Sequence, residues 1–131
     1  MSATPFQATG VTTSLTAKDL GATLAWYRDV VGFTVAHEMM HEGTLVAAII
    51  HAGGARFVLN QEDGKRGLDR VKGEGFSFQI ETTQNVDEIA QGIEARGGTL
   101  DSQPADMPWG VRMFRLRDPD GYRLSIAKPL S

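Results

Sequence analysis

The spacing of hydrophobic positions changes period several times along the chain, and the same order of changes occurs twice. Residues 11–17 alternate weakly and read as a strand. Asp19 stands where a helix N-cap belongs, and Leu20, Leu24, Tyr27 and Val31 then recur at helical spacing as one apolar stripe. Gly32 ends that helix. Residues 33–37 and 44–50 read as strands, and Ala52-Gly53-Gly54 turns the chain back into a strand over 56–60. The polar, glycine-bearing stretch 61–74 predicts a mobile connector. The order then repeats. A strand over 76–81 sets Phe76, Phe78 and Ile80 on one face. Asn85 and Glu88 have capping-box spacing and open a helix whose stripe is Val86, Ile89, Ala90 and Ile93. Gly97-Gly98 closes that helix, and a short strand at 99–102 and a proline-bearing loop at 103–108 follow. A strand over 111–116, a tight Asp118-Pro119-Asp120-Gly121 turn and a last strand over 122–128 complete the chain.

Superposing the halves brings Ser14 onto Ser77, Leu15 onto Phe78, Gly32 onto Gly97, Gly54 onto Gly121 and Arg56 onto Arg123, at offsets of 63, 65 and 67 residues. The same superposition sets His51 against Asp118, at the start of each hairpin turn, where a side-chain hydrogen bond would stabilise the turn. Each half is then β-α-β-β-β, which makes the fold class α+β: two modules with paired curved mixed sheets. One helix covers one face of a four-stranded sheet, so the other face must meet a second sheet or stay wet. Pairing two such sheets leaves a groove, and a seam of that kind suits a small molecule. The expected organisation is a single domain over 1–131, with module one at about 8–62, the connector at 61–74 and module two at about 75–128.

Composition narrows the partners. The 131 residues are 41% hydrophobic and 22% charged, which are globular values. A net charge of −3 without a basic run argues against nucleic acid. There are no cysteines, which excludes disulfides and thiolate zinc sites and fits a cytoplasmic protein. Residues 1–10 have no pattern of a signal peptide, and the apolar run 45–50 is too short to cross a membrane.

Two segments carry a family resemblance. One runs from Ser14-Leu15-Thr16-Ala17-Lys18-Asp19-Leu20 through Trp26-Tyr27-Arg28-Asp29-Val30-Val31-Gly32-Phe33; the other joins Pro108-Trp109-Gly110-Val111-Arg112 to Arg117-Asp118-Pro119-Asp120-Gly121-Tyr122. With the repeat, they resemble the vicinal-oxygen-chelate superfamily of glyoxalases, bleomycin-resistance proteins and dioxygenases. The Pro108-Trp109-Gly110 hairpin resembles the metal-free bleomycin-resistance branch in particular.

The resemblance implies a divalent metal at the seam in the enzymes, held at positions that correspond here to Thr12, Val58, Gly75 and Ser125. A catalytic site wants about three ligands drawn from His, Asp and Glu. None of these four is one, and a slip of one residue adds only Glu74. The expectation is therefore no metal and no cofactor. A rival signal is His37-Glu38-Met39-Met40-His41, which spells H-E-x-x-H. It follows a strand start rather than a helix cap, and histidines four apart on a strand stand about 13 Å apart, too far for one ion. A hairpin tip would be needed to bring His37 and His41 together as a displaced metal site.

Strand parity assigns Leu15, Ala17, Phe57, Leu59, Phe76, Phe78, Ile80, Leu124 and Ile126 to the helix-facing core. The groove face then carries Thr12, Ser14, Thr16, Val58, Asn60, Ser77, Gln79, Ser125 and Ala127, a small and uncharged polar surface. Met39, Met40, Trp109, Arg112 and Met113 are the larger groove candidates, with His37 beside them. Trp109, after Pro108 in a loop, is expected to stack on a ligand or on the partner module. Trp26, one step off the helix stripe, is expected at an interface.

The expected ligand-binding set is Ser14, Val58, Asn60, Ser77, Gln79, Trp109, Arg112, Ser125, His37 and Met39. No nucleophile–base pair is visible, so catalytic residues are not assigned. The reading that follows is a metal-free binding protein that sequesters a drug-like or planar metabolite and, as the family resemblance implies, works as a homodimer. The alternative is a metal-dependent lyase, isomerase or dioxygenase with a displaced site built from His37, His41 and Glu38 or Glu62.

Overall fold

The computed structural model describes residues 4–65, 67 and 71–131. Strand β1 (Thr13–Ala17) leads into helix α1 (Leu20–Ala25), β2 (Thr34–His41), β3 (Thr44–Ala52) and β4 (Ala55–Gln61). The second series is β5 (Ser77–Glu81), α2 (Val86–Ala95), β6 (Leu100–Asp106), β7 (Val111–Arg117) and β8 (Arg123–Pro129). Two four-stranded mixed sheets result, ordered β1-β4-β3-β2 and β5-β8-β7-β6. In each, the first strand runs parallel to the last and the other pairs are antiparallel. This is the α+β arrangement of two β-α-β-β-β modules that the doubled pattern implies, and it agrees with the fold that the family resemblance implies. Part of the expected connector, at 66 and 68–70, lies outside the described residues, as do residues 1–3. Among the described residues no helix is long and apolar enough to cross a membrane.

Local chemistry sets the helix starts. The Asp19 carboxylate accepts from Ala22 N at 3.1 Å, and the Asn85 amide oxygen accepts from Asp87 N and Glu88 N. The first helix departs from the expected single α-helix. From Trp26 to Val31 it winds as a π-helix, and the Tyr27 carbonyl accepts from both Gly32 N and Phe33 N. Gly32 then stops it at φ +104°, where a side chain would be strained. Trp26 packs edge-on against the buried Tyr27 ring.

The proline-bearing stretch expected as a loop is largely strand, because β6 continues to Asp106. Pro104 sits on an edge strand, where the register with β7 shifts between Ser102 and Ala105, so its missing N–H disrupts little. The ladders also correct the repeat. Leu15 lies opposite Leu59 and Ile80 opposite Ile126, so β1 maps onto β5 at an offset of 65 rather than 63. Leu15 thus corresponds to Ile80, and Thr12 to Ser77 rather than Gly75. His51 lies opposite Arg56 as Arg117 lies opposite Arg123, so His51 corresponds to Arg117 and not to Asp118.

Leu15, Ala17, Phe57, Leu59, Leu124 and Ile126 are buried in one core with Leu20, Leu24, Tyr27, Val86, Ala90 and Ile93 from the helices. Phe76 is not in it: it precedes β5, is 46% exposed and lies edge-on to Phe78. The two modules join on this helix side. Phe57 packs against Phe78, and the Arg96 guanidinium donates to the Val30 carbonyl. The β7–β8 turn reaches across to module one, where Asp120 accepts from Lys18 N and the Thr23 hydroxyl. Lys72 sits between Glu62 and Asp120, 3.6 Å from each.

Candidate functional site

With the helices packed on one side, the ladders set out what the other face of each sheet carries; Met113, Ser125 and Ala127 on that face are buried, while Ser14, His37, Ser77 and Gln79 are exposed. Across the first sheet, Ser14 lies opposite Val58, Val58 opposite Ile49 and Ile49 opposite His37. The next row is Thr16, Asn60, Ala47 and Met39. Across the second sheet the corresponding row is Gln79, Ser125, Arg115 and Ser102. One step along it stand Ser77, Arg123 and Arg117. Ser14, Val58, Asn60, His37 and Met39 therefore share one open face, and Ser77, Gln79 and Ser125 share the other.

Local irregularities aim these side chains. Ala36 is the extra residue of a bulge in β2, between Val35 opposite Ile50 and His37 opposite Ile49. Simple alternation would send His37 to the core side with Val35; the bulge turns it outward. Asp101 is the matching extra residue in β6, ahead of Ser102. The Asn60 side-chain amide donates to the Ser14 hydroxyl at 2.7 Å and to the Leu15 carbonyl, so these two site residues are mutually oriented.

Two expected site residues lie elsewhere. Arg112 is on the helix side of β7, in step with Phe114 and Leu116. Its guanidinium grips Asp87 at the start of α2 through two bonds of 2.8 and 2.9 Å, and Asp106 through a third of 3.0 Å. The Arg112 hydrogen bonds hold the Asp87 carboxyl below its ordinary range. Arg112 is thus a clamp for a helix end and does not enter the groove. Trp109 stands in the β6–β7 turn, 59% exposed and without an aromatic partner among the described residues.

Conversely, Arg115 and Arg123 belong to the open face and were absent from the expected set, as was Ile49. A hollow of about 770 Å³ on the second sheet is lined by Ser77, Ser102, Arg115, Arg123 and Ser125. A neighbouring one of about 450 Å³, at the seam, is lined by Thr13, Arg56, Ser77 and Gln79. Another hollow, of about 790 Å³, lies where the β3–β4 turn meets the start of α2, and it contains none of the expected site residues.

The residues do not fit a catalytic metal. Thr12, Val58 and Ser125 offer at best neutral hydroxyls, and replacing Gly75 by Ser77 at the fourth position adds only another. His37 and His41 lie on an uninterrupted segment of β2, facing the same side; the second irregularity of this hairpin falls at Val46 on β3. The tight Glu42-Gly43 turn, at φ 51° and 79°, leaves them two pleats apart. Glu62 is buried beside Lys72. Among the described residues no three His, Asp or Glu side chains gather as a metal site.

The family model for the Glyoxalase/Bleomycin resistance protein/Dioxygenase superfamily matches residues 10–126. The chain belongs to this superfamily. The fold of the superfamily recurs in solved structures of low identity. TioX from Micromonospora sp. ML1 is similar at 21% identity and a TM-score of 0.75, over 94% of this chain and 100% of that one. A glyoxalase/bleomycin resistance protein/dioxygenase from Nocardioides is similar at 23% identity and a TM-score of 0.73, over 98% and 87%. A lactoylglutathione lyase from Agrobacterium tumefaciens is similar at 22% identity and a TM-score of 0.66, over 95% of each chain. No curated protein matched in sequence. Superfamily membership brings receptors and catalysts into view together, so the site must decide between them.

Proposed function

We propose that this chain is a metal-free small-molecule-binding protein of the superfamily, sequestering a drug-like or planar metabolite against its open sheet faces. One observation carries the reading: the four positions that would grip an ion hold Thr12, Val58, Ser77 and Ser125. The Thr12, Ser77 and Ser125 hydroxyls suit hydrogen bonding to an organic ligand, Val58 offers it apolar contact, and Ser14, Asn60, His37, Met39 and Gln79 lie alongside. Ser14, His37, Ser77 and Gln79 on these faces are exposed in the single chain, and a homodimer would enclose them. The lyase likeness supports an enzymatic reading only at the level of fold, and no observation at His37, His41 or Glu62 favours a displaced metal.

Elemental analysis of dialysed protein tests the proposal, with trace metal expected and one tightly held ion per chain overturning it. Native mass spectrometry of freshly purified protein then reads the co-purifying mass, with an organic adduct expected.

A further inference from the structure

The open face of the second sheet holds a charge arrangement that the fold does not need. Arg117 and Arg123 are direct cross-strand partners, and Arg115 is the next residue on the same face of β7. Like charges placed opposite one another destabilise a sheet. Only Arg117 has a counter-charge: its Nε donates to Asp101 at 2.9 Å. The side chains of Arg115 and Arg123 make no hydrogen bond or ion pair among the described residues, and both are exposed. They line the hollow of about 770 Å³ together with the hydroxyls of Ser77, Ser102 and Ser125. Ser77 also lines the adjoining seam hollow, where Arg56 stands at the position equivalent to Arg123, again without a side-chain partner among the described residues. Glu81 is a carboxylate lining that second hollow. Three guanidiniums without a side-chain partner among the described residues therefore line two hollows that share Ser77, in a chain whose net charge is −3.

We propose that this surface binds the oxyanion of an organic ligand, a carboxylate or a phosphate monoester, with Arg115 and Arg123 as its principal contacts and Arg56 on the seam side. A guanidinium presents paired N–H donors that match both groups, and the serine hydroxyls supply neutral donors to the remaining oxygens. The cross-strand repulsion is relieved when the anion is seated. Local conflict of this sort, compensated inside the fold only at Arg117 by Asp101, marks a site shaped for something outside it. The inference rests on the receptor reading and narrows its ligand to anions, rather than to the cationic or neutral molecules that an uncharged face would admit.

The test titrates the intact chain with phenyl phosphate, benzoate, benzyl alcohol and benzylamine, following backbone amide shifts by NMR. Phenyl phosphate or benzoate should perturb β5, β7 and β8 around Ser77, Arg115 and Arg123, and the preferred one of the two tells phosphate from carboxylate. Arg115→Gln with Arg123→Gln should weaken that binding at least tenfold. The same pair should raise Tm by about 1–5 °C by removing the repulsion. That rise separates a ligand site from a merely structural one and shows that the variant folds. Equal binding of all four probes, or anion binding unchanged in the double variant, would overturn the proposal. Preference for benzylamine or benzyl alcohol at the same face would also sink it while leaving the receptor reading standing. A stoichiometric metal in elemental analysis would instead remove the receptor reading, whatever the arginines bind.

Discussion

The Tyr27 hydroxyl donates to the buried Asp118 carboxylate at 2.9 Å, joining the modules across 91 positions of sequence. Both ends are fixed. Tyr27 is fully buried where the π-helical turn begins, and the other Asp118 oxygen accepts from Asp120 N and Tyr122 N within the β7–β8 turn. Tyr27→Phe leaves the buried carboxylate without its side-chain donor. Chemical denaturation should show a loss of about 1–3 kcal/mol.

The same carboxylate gives stability a pH slope. Burial is the largest influence on Asp118 and holds its carboxyl above the ordinary value of 3.8, against the opposing hydrogen bonds from Tyr27, Tyr122 and Asp120. The folded chain thus keeps this proton to a higher pH than the unfolded chain does. The contribution of Asp118 is fully present below the unfolded value and is lost as pH rises through the folded one. Urea midpoints of wild type relative to Asp118→Asn should decline as pH climbs from about 4. A rising or flat difference would contradict the assignment.

Gly98 tests how closely the modules approach. A Cβ there would meet Ile93 Cγ2 at 2.5 Å and Val30 Cγ1 at 2.8 Å, one contact in each module. Gly98→Ala should cost about 1–3 kcal/mol through overpacking. Gly97→Ala has open space but a φ of +94°, so it should lose only about 1 kcal/mol, to backbone strain. Paired urea melts separate the two mechanisms.

These joints show where the sequence was readable. Asp19, Asn85 and Gly32 work locally, through a cap bond or a left-handed φ, so the helix ends could be placed from neighbours a few residues away. The edge strand β6 could not, because Pro104 is tolerated there only by a bulge whose partner strand lies elsewhere in sequence. The π-helical turn is a shift of backbone hydrogen bonding onto the Tyr27 carbonyl, which no side-chain periodicity records. The faces of the candidate residues on β1, β4, β5 and β8 followed from alternation, since the helix-side positions of these strands are apolar and most of the others polar. β7 defeats that rule. Val111 and Met113 are apolar on one face and Phe114 and Leu116 on the other, so the pattern does not say where Arg112 and Arg115 point. Sequence put Arg112 in the groove and passed over Arg115; the ladder reverses both.

Arg112 therefore should behave as a structural residue. It ties the first turn of α2 to the end of β6 through Asp87 and Asp106, at a partly exposed site where salt screens the attraction. Arg112→Ala is expected to lower Tm modestly in dilute buffer and by less in high salt. Ligand titrations on the variant should match wild type, whereas a loss of binding with unchanged Tm would return Arg112 to the site.

The H-E-x-x-H segment supplies the sharpest contrast between a motif and its geometry. In a helix, residues four apart stand one above the other, and two imidazoles reach a single ion. On β2 the same spacing spans two pleats, roughly 13 Å, with Glu38 turned to the other face. Neither histidine has a third ligand within a cluster among the described residues. His37→Ala and His41→Ala should each leave the bound-metal content at the trace level of wild type. A chelator should not shift Tm in any of the three proteins, because the receptor reading links no folding free energy to a metal. The two variants should still differ in ligand titrations. His37 sits in the row with Ile49, Val58 and Ser14 and should weaken binding when truncated, while His41, at the exposed hairpin end opposite Thr44, should not. A chelator-induced fall in Tm that His37→Ala abolishes would assign these histidines to a metal after all.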